Sequence, residues 1–78
     1  MDREELGKKF AKIVEKADCD VCRSLKLDNL SLEELRIVLA CEEDSDGAPE
    51  ELIEEILSGK SYPTAKEIMD ELVNTFGY

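Results

Sequence analysis

Length, composition and charge narrow the functions open to this chain. Its 78 residues suffice for one small domain with a modest core. Twenty acidic residues against ten basic ones give a net charge of −10, which disfavours nucleic acid and anionic membranes as ligands because both are polyanions. The chain has no histidine, so the commonest general base and metal ligand is missing. We therefore expect a protein that is not an enzyme.

The negative charge is concentrated in one part of the chain. Residues 1–30 contain seven acidic and seven basic residues, whereas residues 31–78 contain thirteen acidic residues and three basic ones. The natural complement of such a segment is a protein with a basic surface. No apolar run reaches the ~20 residues of a membrane helix, and the first ten residues do not resemble a signal peptide. A cytoplasmic location is the corresponding expectation.

Helical spacing of apolar residues begins near the N-terminus. A first helix is predicted to start after Asp2, with Glu5 completing a capping box. Its apolar stripe consists of Leu6, Phe10, Ile13, Val14 and Ala17. Beyond it, the segment near residues 19–25 is predicted either to form a short extra helical turn or to continue the same pattern. No stretch of the chain shows the alternation of a strand.

A second helix has the strongest start signal in the sequence. Ser31 and Glu34 have capping-box spacing, and Leu30 and Leu35 are placed for a hydrophobic staple. The predicted buried positions are Leu32, Leu35, Val38 and Leu39. The run from Glu42 to Gly47 is rich in acidic and turn-forming residues, so we predict that the helix ends there in an acidic loop.

Two further helices follow. Pro49 suits the first position of a third helix, and Ser58-Gly59 is a typical end. Thr64, with Glu67 completing a capping box, predicts the start of a fourth helix that stops at Gly77. The inward positions are Leu52, Ile53, Ile56 and Leu57 in the third helix, and Ile68, Met69, Leu72, Val73 and Phe76 in the fourth. The predicted fold is all-α, a small four-helix bundle forming one domain over residues 1–78.

Two motifs resemble metal sites without completing them. Cys19-x-x-Cys22 with Cys41 supplies only three of the four ligands of a structural zinc site, so we predict three free cysteines that pack as small apolar residues. The run Glu42-x-Asp44-x-Asp46 is similar to the first half of an EF-hand loop, which also needs a Glu at its twelfth position. Ile53 stands there, so no metal site is predicted.

Acidic residues recur on the second and third helices. This acidic face consists of Glu33, Glu34, Glu50, Glu51, Glu54 and Glu55. It is interpreted either as a solvated surface or as a docking face for a basic partner, because the charge is so unevenly divided along the chain.

The segment Leu27-Asp28-Asn29-Leu30-Ser31-Leu32 resembles the attachment motif of acyl and peptidyl carrier proteins, Leu-Gly-x-Asp-Ser-Leu, with Asp28 at the Gly and Leu30 at the Asp. Three later segments are also similar to this family. The acidic end of the family's second helix resembles Glu42-Glu43, and the Pro-acidic entry to its third helix resembles Ala48-Pro49-Glu50-Glu51. The Pro-Thr start of its last helix resembles Tyr62-Pro63-Thr64. The resemblance implies a four-helix acidic domain with phosphopantetheine attached at Ser31, whose second helix docks on basic patches of partner enzymes. The alternative is that Ser31 serves only as a helix cap.

A second resemblance covers residues 27–57. Leu30-Ser31-x-x-Glu34-Leu35-Arg36-x-x-Leu39, Gly47 and Glu51-Leu52-Ile53-Glu54 look like the helix–extension–helix pattern of SAP-like DNA-binding modules. Acidic residues replace the basic ones that such modules present to phosphate. This resemblance therefore implies a shared scaffold without DNA binding: a small acidic adaptor or inhibitor that occupies a basic site on another protein.

Overall fold

The computed structural model describes residues 3–16 and 27–78, and over these ranges the chain is all-α and contains no strand. Four helices are present: α1 (Arg3–Lys16), α2 (Leu32–Ser45), α3 (Glu50–Ser58) and α4 (Ala65–Phe76). A short 3-10 turn (Leu27–Asn29) precedes α2. The predicted fold class, a small all-α bundle, is confirmed. Asp2 and the possible turn near residues 19–25 lie outside the described residues.

Helix α2 is the centre of the bundle, since α1, α3 and α4 all pack against it. The core contains the following buried residues: Leu6, Ile13, Leu35, Ile37, Val38, Leu39, Ala40, Ile53, Ile56, Ile68 and Leu72. Five of these eleven lie on α2. The helix therefore buries more than the single stripe expected for a helix at the edge of a domain.

The starts of α2 and α4 follow the predicted caps. The hydroxyl of Ser31 accepts a hydrogen bond from the backbone N–H of Glu34 at 3.2 Å, and Glu34 Oε1 accepts one from the N–H of Ser31 at 3.0 Å. This reciprocal pair is the predicted capping box. At α4, the hydroxyl of Thr64 accepts from the N–H of Glu67 at 3.3 Å, which is one half of the predicted capping box. Pro49 is the N-cap of α3 rather than its first residue.

Glycine terminates α3 and α4 where the sequence predicts. Gly59 has φ +85° and Gly77 has φ +74°, the left-handed conformation in which a side chain is strained. After Gly59, the N–H of Lys60 donates to the carbonyl of Glu55 at 3.0 Å. Both glycines thus allow the chain to turn while carbonyls of the last helical turn remain hydrogen bonded.

Two predictions about α2 and one about α4 are wrong. Leu32 is 36% exposed and Val73 is 48% exposed, although both were expected inside. Helix α2 does not end at Glu42 but continues to Ser45, so most of the predicted acidic loop is helical. The connection to α3 is only the segment 46–49. Contacts from other elements with the last turn of α2 account for this extension.

Long-range polar contacts hold the C-terminal end of α2. Tyr78 donates a hydrogen bond from its hydroxyl to Glu42 Oε1 at 2.7 Å. Arg3 Nε lies 2.9 Å from Asp44 Oδ1, as a close ion pair rather than a well-directed hydrogen bond. Residues from α1 and from the chain beyond α4 therefore meet at one end of α2. These contacts favour the helical conformation there over the loop that Asp, Ser and Gly alone would favour.

Candidate functional site

Ser31 is exposed at the N-terminus of α2, in extended backbone with φ −70° and ψ 164°. Its oxygen is occupied as the acceptor of the capping bond, whereas its own O–H remains available as a donor. Leu30, the residue before it, is half-buried against the core. Ser31 is therefore fixed at a helix N-terminus, where the free N–H groups and the helix dipole favour a negatively charged substituent.

Five members of the acidic face, Glu33, Glu50, Glu51, Glu54 and Glu55, are exposed, and Glu34 is half-exposed. Glu34 folds back onto the backbone of Ser31, so its carboxylate serves the cap. Glu55 accepts a hydrogen bond from the hydroxyl of Ser61 at 3.1 Å. The remaining exposed carboxylates are directed toward solvent, as a charged side chain at high exposure is expected to be.

The acidic face extends along the α2–α3 pair and does not converge on one point. The guanidinium of Arg36, near the start of α2, lies against Gly59 at the end of α3. The end of α2 meets the start of α3 through the short 46–49 connection. Glu33 and Glu34 therefore lie toward one end of the pair, and Glu50 and Glu51 toward the other. At 1.5 Å rise per residue, α2 alone is about 20 Å long.

Three of the six carboxylates share a shallow groove of about 320 Å³ on α3. Its lining consists of Glu51, Glu54, Glu55, Ser58 and Lys60. A groove of this kind is polar and open, unlike the mostly apolar clefts that enclose small molecules. Its chemistry suits a basic side chain of a docked protein, because lysine and arginine supply charge-assisted hydrogen bonds to carboxylates.

The three basic residues after position 30 leave most of this charge uncompensated. Arg36 is half-buried on Gly59, and its Nε is buried without a hydrogen-bond partner among the described residues. Its positive charge sits at the C-terminus of α3, where it complements the helix dipole. Lys60 lines the groove and Lys66 is exposed on α4.

A second group of acidic residues lies where α2, α4 and the α3–α4 connection meet. Burial, together with the charges of Glu71 and Asp46, raises the pKa of Glu43 above its ordinary value. Burial, followed by the charges of Glu71 and Glu43, raises the pKa of Tyr62. Glu43 and Tyr62 belong to segments that resemble carrier proteins, but the sequence does not connect either of them with Glu71, because the residues are far apart along the chain and no local motif joins them.

The pKa values of Cys41 and Tyr78 are also raised. Burial, followed by the charges of Glu42 and Asp44, raises the pKa of the Cys41 thiol. Burial and the hydrogen bond to Glu42 raise the pKa of Tyr78. Both shifts keep the side chain neutral, so Cys41 lacks the thiolate character of a reactive cysteine. Its free, half-buried state fits the packing role predicted for it.

The two motifs that resemble metal sites do not form such a site in the part of the chain that the structure describes. Cys19 and Cys22 lie outside that part, and Cys41 is on α2. Glu42 and Asp44 are in helical backbone, which cannot follow the course of a calcium-binding loop. Over residues 3–16 and 27–78, no group of three or more Cys, Asp or Glu side chains is arranged to hold a metal ion.

Comparisons with models of known protein families, with curated proteins and with solved structures find no match to this chain. The likeness to carrier proteins and the likeness to SAP-like modules therefore both stay predictions. Within the described ranges, no helix has the length and apolar character required to cross a membrane.

Proposed function

We propose that this chain is a non-catalytic acidic domain that docks onto a basic surface of another protein through the acidic face. The observation that carries the proposal is the exposure of Glu33, Glu50, Glu51, Glu54 and Glu55 in a segment with thirteen acidic and three basic residues. Such a one-signed surface attracts a positively charged partner and repels nucleic acid.

Within the acidic face, the groove on α3 is where we expect a basic side chain of the partner to bind most favourably. Glu51, Glu54 and Glu55 line it together, so one lysine or arginine can approach several carboxylates at once. Contacts of exposed charges are individually weak and screened by salt. The proposal therefore predicts fast, salt-sensitive association rather than a tight apolar interface.

We expect a fluorescently labelled lysine- and arginine-rich peptide, used as the probe, to bind the chain with an affinity that falls steeply as salt is added. The triple variant Glu51→Gln, Glu54→Gln, Glu55→Gln should bind it several-fold more weakly in low salt, because the groove loses its charge. Fluorescence anisotropy measures both effects.

The matched control is Glu4→Gln, Glu5→Gln, Glu15→Gln on α1, which removes the same charge from exposed positions outside the acidic face. It should change the affinity much less. Equal weakening by the two triple variants would show that binding follows net charge alone, and the docking proposal would then fail.

A carrier function is the second candidate, and the setting of Ser31 favours it. The hydroxyl is exposed, held at the N-terminus of α2 and retains its O–H as a donor. A phosphodiester there would meet the positive end of the helix dipole. In this candidate, phosphopantetheine is attached to Ser31, and the acidic face docks on the enzymes that load and unload the arm.

We expect a broad-specificity phosphopantetheinyl transferase, given coenzyme A, to add one phosphopantetheine mass to the chain under this second candidate. Ser31→Ala should abolish the gain, whereas Ser45→Ala, which alters another exposed serine outside the groove, should retain it. Intact-protein mass spectrometry measures the outcome. If wild type gains no mass, the carrier candidate is excluded and the adaptor or inhibitor function implied by the SAP-like scaffold is the one that remains.

A further inference from the structure

The groove on α3 contains a positive charge of its own. Its lining consists of Glu51, Glu54, Glu55, Ser58 and Lys60, and Lys60 is the one basic residue among the five. The three glutamates belong to α3, whereas Lys60 comes directly after the C-cap of that helix and is exposed. A basic side chain that enters the groove therefore meets Lys60 as well as the carboxylates.

Backbone hydrogen bonds hold Lys60 at the edge of this groove. The N–H of Lys60 donates to the carbonyl oxygen of Glu55 at 3.0 Å, and the N–H of Ser61 donates to the same oxygen at 3.2 Å. The left-handed conformation of Gly59, with φ +85°, turns the chain back over the end of the helix. The side chain of Lys60 thus starts from a fixed point beside the last turn of α3.

The carboxylates of the groove lie on one face of α3. Glu51 precedes Glu54 by three residues and Glu55 by four, and side chains at these spacings are neighbours on a helix surface. Glu55 Oε2 accepts a hydrogen bond from the hydroxyl of Ser61 at 3.1 Å. That donor is neutral, so it orients the carboxylate without cancelling its charge. The three like charges disfavour one another, and a cation among them lowers this repulsion.

Lys60 is not fixed to any one of these carboxylates. Close ion pairs of the described residues join Arg3 to Asp44 and Lys8 to Glu4, and Lys60 belongs to neither. Its ammonium is a compact, strongly hydrated charge on a flexible four-carbon stem, so it acts on the carboxylates together and moves aside readily. Arg36 differs, because its guanidinium lies against Gly59 with Nε buried.

We propose that Lys60 is a built-in competitor for the groove, whose ammonium takes the place of a partner's basic side chain and is displaced when the partner docks. The inference rests on the proposed docking of a basic protein at the acidic face. Because Lys60 is attached to the chain, its effective concentration at the groove is high. It therefore lowers the affinity for every cation that enters, and it favours partners with several basic residues over those with one.

The test uses the labelled lysine- and arginine-rich peptide and fluorescence anisotropy in low salt. Lys60→Gln should bind the peptide roughly two- to fivefold more tightly, the range expected for one exposed charge pair. Lys66→Gln removes the same charge from an exposed lysine outside the groove, and it should change the affinity much less. Lys60→Arg retains the charge and should bind as wild type does. Equal affinities of wild type and Lys60→Gln, or equal tightening by Lys60→Gln and Lys66→Gln, would overturn the proposal.

A double-mutant cycle separates this inference from the docking proposal on which it rests. In the background Glu51→Gln, Glu54→Gln, Glu55→Gln, Lys60→Gln should no longer tighten binding, because the carboxylates for which it competes are gone. Tightening as large as in the wild-type background would contradict the competitor. If the three glutamate substitutions do not weaken binding, the docking proposal itself fails. If they weaken it while Lys60→Gln alone has no effect, only the competitor fails.

Discussion

Replacing Leu39 by alanine is expected to remove a large share of the stability of this chain. Leu39 is completely buried on α2, the helix against which α1, α3 and α4 all pack. A buried Leu→Ala substitution costs about 2–5 kcal/mol, whereas a chain of this size has a total stability of about 4–12 kcal/mol. Urea unfolding followed by far-ultraviolet circular dichroism measures the loss.

Leu32→Ala is the matched control, because it makes the same chemical change on the same helix. Leu32 is 36% exposed, so less apolar surface returns to water on truncation and no cavity is left. We expect a loss below about 1 kcal/mol, the scale of a partly exposed side chain. A comparable loss in both variants would contradict the placement of Leu39 in the core and of Leu32 at the surface.

Gly59→Ala is expected to be the most damaging of the glycine substitutions. Its φ of +85° strains any side chain by about 1–2 kcal/mol. An added Cβ would also lie 2.9 Å from Nη2 and 3.2 Å from Cζ of Arg36. The guanidinium, at the flexible end of the Arg36 side chain, would have to shift from its position at the end of α3, where it complements the helix dipole. Chemical denaturation again gives the difference in unfolding free energy.

Substituting Gly47 separates the cost of backbone strain from the cost of displacing Arg36. It has the same φ of +85°, but an added Cβ meets nothing within 4 Å. Gly47→Ala should therefore report the backbone strain alone, and the excess loss in Gly59→Ala should report the displacement of Arg36. In an Arg36→Ala background that excess should vanish. Equal losses for both glycines in the wild-type background would show that the Arg36 contact contributes nothing.

Local signals in the sequence were sufficient for the starts of α2 and α4 and for the ends of α3 and α4. Ser31 with Glu34 predicted a capping box that the structure contains, and Thr64 predicted the start of α4. Gly59 and Gly77 marked the ends of α3 and α4. These predictions succeeded because a cap is made by residues within a few positions of one another.

Predictions that depend on neighbours in space were less successful. The end of α2 was misplaced because its last turn is held by Tyr78 and Arg3, which no local pattern reveals. Ile37 and Ala40 were not expected inside. They are buried because three helices surround α2, whereas an amphipathic pattern anticipates one buried stripe.

The same distinction between local signals and spatial packing applies to the candidate sites. The acidic face could be read from the sequence, because exposure follows from charge and helical spacing. The mutual effects of Glu43, Glu71 and Tyr62 could not, since they depend on the packing of α4 on α2. The sequence does not predict the positive φ of Tyr62 either, because this backbone conformation is rare for tyrosine.

The placement of the aromatic hydroxyls determines what ultraviolet light can report about this protein. Tryptophan is absent, and the two tyrosines are Tyr62 and Tyr78. The hydroxyl of Tyr78 donates a hydrogen bond to Glu42 near the C-terminal end of α2. Burial, followed by the charges of Glu71 and of Glu43, which lies on the same part of α2, raises the pKa of Tyr62. Intrinsic tyrosine fluorescence will therefore report structural changes at that end of α2. Changes around Ser31 will not alter this fluorescence, and an introduced label is required to detect them.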